Sequence, residues 1–297
     1  MSSLHRDGDR SEAGELLRTG PHDRYFDYCL QPYQPRHDPR GRLRSENLLW
    51  RALEVAGAMS LRPPLLALQA ALGRDMTVWG VKHDGCRIWL EIYVYDPQRQ
   101  EPQARVDGLA TLLSPWLQFQ PKVPSWTPYM MVSFDLFADS VDRASVDLLN
   151  LYLTGTDEHA GRSYRACAQR VELENTYRFL PPKTEIDAVL SLLTASAFVD
   201  YSATPTVLSD VLMPRLFACK RICIAKKRHA DVVYFSGIDV DQLGWFLARF
   251  QYPATIVDFV REYRSDLEHL WFDVGLDLRQ GPDGSVNHPK TSFYGTL

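Results

Sequence analysis

The segment Met76–Tyr95, MTVWGVKHDGCRIWLEIYVY, most constrains what this chain can fold into. Two runs of alternating apolar residues flank Asp84-Gly85, a dipeptide that supplies the positive φ angles of a tight β-hairpin. In the second run every other residue from Ile88 to Val94 is aliphatic, whereas the positions between them carry Trp, Glu and Tyr. The aliphatic face suits a layer of helices, and the aromatic and charged face suits a ligand cavity.

Further pairs of alternating segments recur along the chain. The sequence predicts strand pairs at 129–137 with 146–154, at 221–227 with 232–236, and at 270–279 with 289–296. Residues 162–180 match neither the period of a strand nor that of a helix clearly, so they could form two strands or part of a helix.

Helical patterns separate these pairs. They lie at about 45–56, 63–72, 103–117 and 184–198, with two amphipathic helices over 239–266, and Ser45 is placed to cap the first. Alternating hairpins and helices could form two α+β domains, but no linker rich in Gly, Ser or Pro divides the middle of the chain. We therefore predict an α+β protein with a single closed antiparallel β-barrel of about ten strands, surrounded by helices in repeated α-β-β-α units.

The region before the first helix has a different character. Residues 1–20 are polar and are predicted to be partly disordered. Residues 21–44 are rich in Pro, Arg, His and Tyr, which predicts an extended arm that either caps the mouth of the barrel or lies on its surface. The predicted division is an N-terminal arm over 1–44 and a barrel domain over 45–297.

The composition argues against several classes of protein. A net charge of −4 disfavours nucleic-acid binding, which usually depends on a basic surface. The five cysteines are scattered, and Cys219 and Cys223 have no second pair to complete a zinc site. The N-terminus lacks a secretory signal and no apolar run is long enough to span a bilayer, so we expect a cytoplasmic protein without a membrane partner.

If helices cover the outside of the barrel, the more polar face of each strand points inwards. This inward-facing set is Lys82, Glu91, Tyr93, Tyr95, Ser133, Asp135, Asn150, Tyr152, Thr154, Lys227, Tyr234, Ser236, Asp273, Asp277, Arg279, Lys290, Ser292 and Tyr294, with Arg165 and Arg170 as possible additions. Cations on several strands suit a multiply charged anion such as diphosphate. Tyrosine rings suit a carbocation, because their π faces stabilise positive charge and exclude water. Ionisation of an allylic diphosphate produces both charges together.

Glu91 is the one acidic residue flanked by aromatic residues on its own face, between Trp89 and Tyr93. A carboxylate in such a position either forms a salt bridge or acts as a base with a raised pKa. The chain has no GxxxxGK[ST], HExxH, GxSxG or GxGxxG motif. It also has no adjacent Asp-Asp pair, so it lacks the DDxxD cluster that holds magnesium in prenyl synthases.

These features resemble the aromatic prenyltransferases of the ABBA type, whose barrel of repeated α-β-β-α units encloses the active site. The resemblance covers residues 45–297. It depends on that pattern and on four short matches: TVWGVKHDGCRIWLEIYVY at 77–95, LLNLYLTG at 148–155, ICIAKKRHADVVYFS at 222–236 and KTSFYG at 290–295.

The resemblance implies transfer of a prenyl group from an allylic diphosphate to an electron-rich aromatic acceptor, an indole, a phenol or a peptide side chain, in specialised metabolism. It implies no cofactor, with Mg2+ at most a non-essential enhancer. The residues expected to bind the diphosphate are Lys82, Lys227, Lys290 and Arg279. Those expected to shield the cation are Tyr93, Tyr152, Tyr234 and Tyr294. Glu91 would accept the proton that the acceptor loses. Family members often carry a basic residue in the strand that corresponds to Asn150–Thr154, where this chain has none.

Two other functions fit the same inward-facing set. One is a cofactor-free condensation or cyclisation of an aromatic amine, in which Glu91 and His83 would move protons. His83 lies at the hairpin tip, however, where a solvated side chain is expected. The other is a barrel that binds a ligand without turnover.

Overall fold

The computed structural model describes residues 16–74, 76–155, 159–168, 170–202 and 206–297. Within these ranges eleven strands form one sheet, and ten of them close into an antiparallel barrel. In chain order the barrel strands are β1 (Thr77–His83), β2 (Ile88–Tyr95), β3 (Met131–Leu136), β4 (Leu148–Thr154), β5 (Ala160–Cys167), β6 (Arg170–Leu180), β7 (Arg221–Lys227), β8 (Asp231–Ile238), β9 (Phe272–Gln280) and β10 (Thr291–Thr296).

Each barrel strand pairs with the next one along the chain, and β10 pairs with β1 to close the ring. The two-residue strand Val286–Asn287 pairs antiparallel with the end of β9, beyond the barrel. Another short pair, Gln118–Phe119 with Ser145–Val146, is parallel and lies outside it. The closed ring leaves no barrel strand with an unpaired edge. The predicted single α+β barrel is confirmed.

Helices surround this barrel. They are α1 (Glu46–Val55), α2 (Arg62–Leu72), α3 (Val106–Leu113), α4 (Ser140–Arg143), α5 (Ile186–Thr194), α6 (Thr206–Leu212), α7 (Val240–Arg249), α8 (Ala254–Glu262) and α9 (Arg264–Leu267), with 3-10 turns at Met59–Leu61 and Pro102–Ala104. The main hydrophobic core lies between the helices and the outer face of the barrel. Leu90, Ile92 and Val94 of β2 belong to the same buried cluster as Leu49 and Leu53 of α1. Among the described residues, no helix is sufficiently long and apolar to cross a membrane.

A local signal explains where α7 begins, whereas the signal predicted for α1 is absent. The Asp239 carboxylate accepts the N–H of Gln242 at 2.8 Å, and the Gln242 side chain accepts the N–H of Asp239, which is a capping box at the start of α7. The cap predicted for α1 is wrong, because Ser45 has helical backbone angles and makes no side-chain cap. Its hydroxyl donates instead to the carbonyl of Thr296 at 3.0 Å and so ties α1 to β10.

The region that the sequence left ambiguous, 162–180, lies within two long paired strands, β5 and β6. A register shift at Ser163 and Tyr164 interrupts their alternation, which explains why neither period was clear. The helix expected at 103–117 is shorter, and α6 was not predicted.

The arm before the barrel makes a small hairpin of its own. The disorder predicted for 1–20 falls mainly on residues 1–15, which lie outside the described residues. Isolated bridges join Arg18 to Leu43 and Phe26 to Pro32. The second bridge closes a segment, residues 25–33, that we call the N-terminal hairpin. Its Tyr28 packs on inward-facing side chains of the barrel, so the arm caps one mouth.

Candidate functional site

The barrel encloses two cavities of similar size. The aromatic cavity, about 270 Å³, lies at the mouth under the N-terminal hairpin, and its walls include Tyr28, Tyr177 and Phe179. The lysine cavity, about 260 Å³, lies at the opposite end, where Lys82, Lys227 and Lys290 converge. Five residues line both: Tyr93, Tyr152, Asn175, Tyr234 and Tyr294. The two cavities therefore meet at a layer of tyrosines.

This layer, which we call the tyrosine belt, consists of the four tyrosines predicted to shield a cation. The ring centroid of Tyr294 lies 6.0 Å from that of Tyr93 and 6.1 Å from that of Tyr234. Tyr152 lies 6.2 Å from Tyr93. Burial raises the pKa of each phenol far above its ordinary value. The belt therefore presents neutral rings whose π faces attract positive charge.

Glycines on neighbouring strands make room for the rings. Gly80 lies directly opposite Tyr294, and a Cβ at Gly80 would lie 2.6 Å from the Tyr294 ring. Gly275 lies opposite Tyr234, and a Cβ there would lie 2.7 Å from that ring. A larger residue at either position would push a tyrosine of the belt into the cavity or out of the layer.

In the lysine cavity, two lysines share one carboxylate. Lys227 Nζ lies 3.5 Å from Asp277 Oδ1, and Lys290 Nζ lies 3.1 Å from Asp277 Oδ2. Burial, followed by the charges of Lys227 and Lys82, lowers the pKa of Lys290 to about 8. Burial alone would raise the pKa of Asp277, but Lys227 and Lys290 hold it below its usual range. This group carries an excess of positive charge that an anion would balance.

Lys82 is held differently, between two carboxylates. Its Nζ lies 2.5 Å from Glu91 Oε2 and 2.8 Å from Asp135 Oδ1. Burial would lower the pKa of Lys82, but Asp135 and Glu91 outweigh it and raise the pKa. Of the three lysines at this end, Lys82 is thus the most completely neutralised by its neighbours.

Glu91 accepts bonds from several donors besides Lys82. The Ser133 hydroxyl donates to Oε1 at 2.5 Å, the Asn150 amide donates at 3.3 Å, and the Tyr93 hydroxyl donates to Oε2. Burial would raise the pKa of Glu91, but Lys82 outweighs it and lowers the pKa. Of the two states expected from the sequence, the salt bridge is present and the raised pKa is wrong.

Three aromatic walls of the aromatic cavity were not predicted. Tyr177 and Phe179 alternate with outward residues of β6, and their rings are 5.8 Å apart. The alternation was present in the sequence but was hidden by the ambiguous assignment of this segment. Tyr28 carries no local signal, because it comes from the arm and reaches the cavity only through tertiary packing.

The mouth under the N-terminal hairpin contains a buried acid. Asp273 Oδ1 accepts the N–H of Gly237 at 3.0 Å, and Oδ2 accepts the N–H of Tyr28 at 3.1 Å. Burial, and secondly the nearby Asp27, raises the pKa of Asp273 to about 7. Asp273 was among the predicted inward-facing residues, but its contact with the arm was not foreseen.

Several predicted residues lie away from the cavities. Arg279 is exposed beyond the barrel, with its guanidinium 5.9 Å from the centroid of Phe198, and lines neither cavity. Arg170 pairs with Glu172 at 3.3 Å and also lines neither, whereas Arg165 lies at the rim of the lysine cavity.

His83 was expected to be solvated, and that expectation is wrong. It is 5 % exposed and packs on Tyr252, with ring centroids 4.7 Å apart. Since Lys82 points into the barrel, the next residue of the strand points outwards. His83 and Glu91 therefore do not face one cavity.

Among the described residues, no group of three or more His, Cys, Asp and Glu side chains is arranged to hold a metal ion. No family model matches the sequence, and no curated protein matches it. Solved structures do match: the crystal structure of NotF prenyltransferase aligns with 84% of this chain and 92% of its own, with a TM-score of 0.53 and 11% sequence identity. At that identity the likeness concerns the fold. The chain has the ABBA-type barrel fold of that prenyltransferase.

Proposed function

We propose that this protein is an aromatic prenyltransferase that needs no metal and moves a prenyl group from an allylic diphosphate to an indole, a phenol or a peptide side chain. The observation that carries the proposal is the tyrosine belt, which separates a cavity where three lysines converge from an aromatic one inside one closed barrel. When an allylic diphosphate ionises, the diphosphate anion is stabilised by lysines and the allylic cation by aromatic rings. The fold shared with a prenyltransferase supports the same assignment.

In this proposal the diphosphate binds in the lysine cavity. Lys227 and Lys290 exchange part of their interaction with Asp277 for charge-assisted bonds to the diphosphate oxygens. The allylic C–O bond then breaks, and its electron pair leaves with the diphosphate. The allylic cation remains against the rings of the tyrosine belt, which hold it away from water. Arg279 has no part in this proposal, because it lies outside the cavity.

The acceptor ring approaches the cation from the aromatic cavity and forms the new bond with its π electrons. The resulting arenium ion is a strong acid, so a carboxylate with a lowered pKa can still accept its proton. Glu91 lies on the lysine side of the belt, where Ser133 and Lys82 orient it. Tyr93 lines both cavities and its hydroxyl donates to Glu91, so Tyr93 passes its proton to Glu91 as it takes up the proton of the arenium ion. The proton ends on Glu91 and passes to solvent or to the departing diphosphate.

The first experiment is calorimetric titration of the protein with a non-ionising thiolo analogue of dimethylallyl or geranyl diphosphate, in EDTA. We expect saturable binding. The variants K227A and K290A should each weaken it by about tenfold or more, because each loses a charge-assisted bond of roughly 1.5 kcal/mol or more.

A matched control is K226A, which removes the same charge from the same strand. Lys226 pairs with Asp231 at 2.6 Å and lines neither cavity. E91Q should reduce turnover without weakening binding of the analogue. Equal affinity in wild type, K227A and K290A would remove the diphosphate assignment.

The alternatives give different results in the same experiments. Binding of an aromatic amine with no affinity for either diphosphate analogue would favour condensation or cyclisation. Saturable binding of both ligands with no product under any pairing would favour a binding protein without turnover. The outward position of His83 weighs against the condensation mechanism that pairs it with Glu91.

A further inference from the structure

Hydrogen bonds within residues 27–31 hold the tip of the N-terminal hairpin in one tight turn. Asp27 Oδ1 accepts the backbone N–H groups of Cys29 and Gln31, at 2.9 and 3.0 Å. The Leu30 N–H donates to the Asp27 carbonyl at 2.8 Å, and Leu30 has a φ of 55°. These bonds form a tight turn that holds the side chain of Tyr28 outwards from the hairpin and into the barrel.

Four hydrogen bonds also join the tip to the barrel. Arg221 of β7 donates to the Asp27 carboxylate and, at 2.6 Å, to the side-chain oxygen of Gln31. Asp273 accepts the Tyr28 N–H at 3.1 Å, and the Tyr95 hydroxyl donates to the Tyr28 carbonyl. Hydrogen bonds of this kind can be replaced by bonds to water or to a ligand with a small net change in free energy.

The ring of Tyr28 lies against the tyrosine belt. It stacks on Tyr234, with centroids 6.0 Å apart and planes 27° apart. Its centroid also lies 5.4 Å from that of Tyr294 and 6.1 Å from that of Phe179. A planar acceptor held against the belt on the side away from the lysines would make the same contacts.

The roots of the hairpin are anchored outside the cavity. The Tyr33 hydroxyl accepts the N–H of Trp271 at 3.1 Å. The Tyr25 ring lies 5.6 Å from that of His269. Neither Tyr25 nor Tyr33 lines the aromatic cavity. The hairpin therefore has a fixed base and a tip that blocks one mouth.

From this geometry we propose that the N-terminal hairpin is a gate for the aromatic acceptor, with Tyr28 as an internal competitor that must leave the belt before the acceptor can stack on Tyr234 and Tyr294. Asp27 and Arg221 form the latch. The identity of the guest as an acceptor rests on the proposed function.

The test is calorimetric titration of the protein with indole, without any diphosphate. Y28A should bind indole at least tenfold more tightly than wild type, because the competing ring is gone. The matched control is F26A, which removes a neighbouring hairpin ring that does not line the aromatic cavity and should leave indole affinity unchanged. Unchanged or weaker indole binding by folded Y28A, or no indole binding by either protein, overturns the gate.

A second variant tests the latch without removing the ring. D27N should weaken the bond to Arg221 and raise indole affinity several-fold. It should also speed hydrogen exchange of the amides in 25–33 relative to wild type. If D27N exchanges and binds as wild type does, the latch assignment fails.

The two proposals fail separately. If Y28A binds indole more tightly but the protein does not bind the diphosphate analogue, the gate is supported and the proposed prenyl donor is ruled out. If K227A and K290A weaken donor binding but Y28A binds indole with wild-type affinity, the donor site is supported and the gate is ruled out.

Discussion

The charged residues of the lysine cavity differ in how much of their charge is already balanced. Lys82 has two carboxylates to itself, whereas Lys227 and Lys290 share Asp277. The residue types alone did not separate these roles, because three lysines on inward faces of strands are equivalent in a sequence. The pairing of the strands decides which carboxylates each lysine meets. It makes Lys82 a structural residue and leaves Lys227 and Lys290 able to bind an anion.

Lys290 should make donor binding depend on pH. Its pKa is lowered to about 8, so it is charged below that pH and loses its proton as the pH rises through it. A bound diphosphate favours the charged form, so affinity for the thiolo analogue should fall above pH 8. Binding near pH 8 should take up roughly half a proton.

Titration in two buffers of different ionisation enthalpy measures that uptake. K290R keeps the charge at all these pH values, and it should bind the analogue without taking up a proton. The same uptake in wild type and K290R would show that another group carries the pH dependence.

The Lys82–Glu91 pair should behave as a buried salt bridge. K82M leaves Glu91 buried without its main partner, and we expect a loss of about 3–5 kcal/mol in the free energy of unfolding. The double variant K82M/E91Q should recover a large part of this loss, because the fully buried Glu91 charge is gone and only the part-exposed Asp135 is left without Lys82. Urea unfolding of the single and double variants measures the coupling. Strictly additive losses would contradict the pairing.

At the scale of elements, the barrel holds its tyrosines by placing a glycine opposite each of two rings, Gly80 opposite Tyr294 and Gly275 opposite Tyr234. The glycine and its partner belong to different strands, and only the register brings them together. Without the register the sequence gives no reason for Gly80 in the middle of a strand, where glycine weakens pairing.

G80A should therefore be destabilising although it adds a single methyl group. Its Cβ would meet the Tyr294 ring at 2.6 Å, and we expect a loss of about 1–3 kcal/mol in stability together with weaker donor binding. The matched control is G244A in α7, where a Cβ would have its nearest contact at an ordinary 3.7 Å. That variant should gain up to about 1 kcal/mol from helix propensity. Thermal unfolding of both variants compares them, and a stable G80A would refute the close packing.

At the scale of the molecule, the sequence predicted the closed barrel, its inward face and the tyrosine belt, because strand alternation sorts residues by face wherever the period is clear. The prediction failed for residues whose segment has no clear strand period or extends beyond the barrel. The register shift in β5 and β6 hid Tyr177 and Phe179, and the arm that delivers Tyr28 has no period at all. Arg279 lies at an inward-facing position in the alternation of β9, but β9 continues past the end of the barrel. Alternation shows which face a residue lies on and does not show where the barrel ends.

The pairing of β10 with β1 also sets when the site can exist. Residues 291–296 complete the ring by joining strands made near the start of the chain, so the barrel cannot close until residue 296 has left the ribosome. Until then the tyrosine belt is incomplete, because Tyr294 belongs to that last strand, and Lys290 directly precedes it. Such distant pairing is slow to form and leaves paired strands with open edges until β10 arrives. Before β10 pairs, the chain therefore exposes strand edges that a helical bundle of equal length does not have.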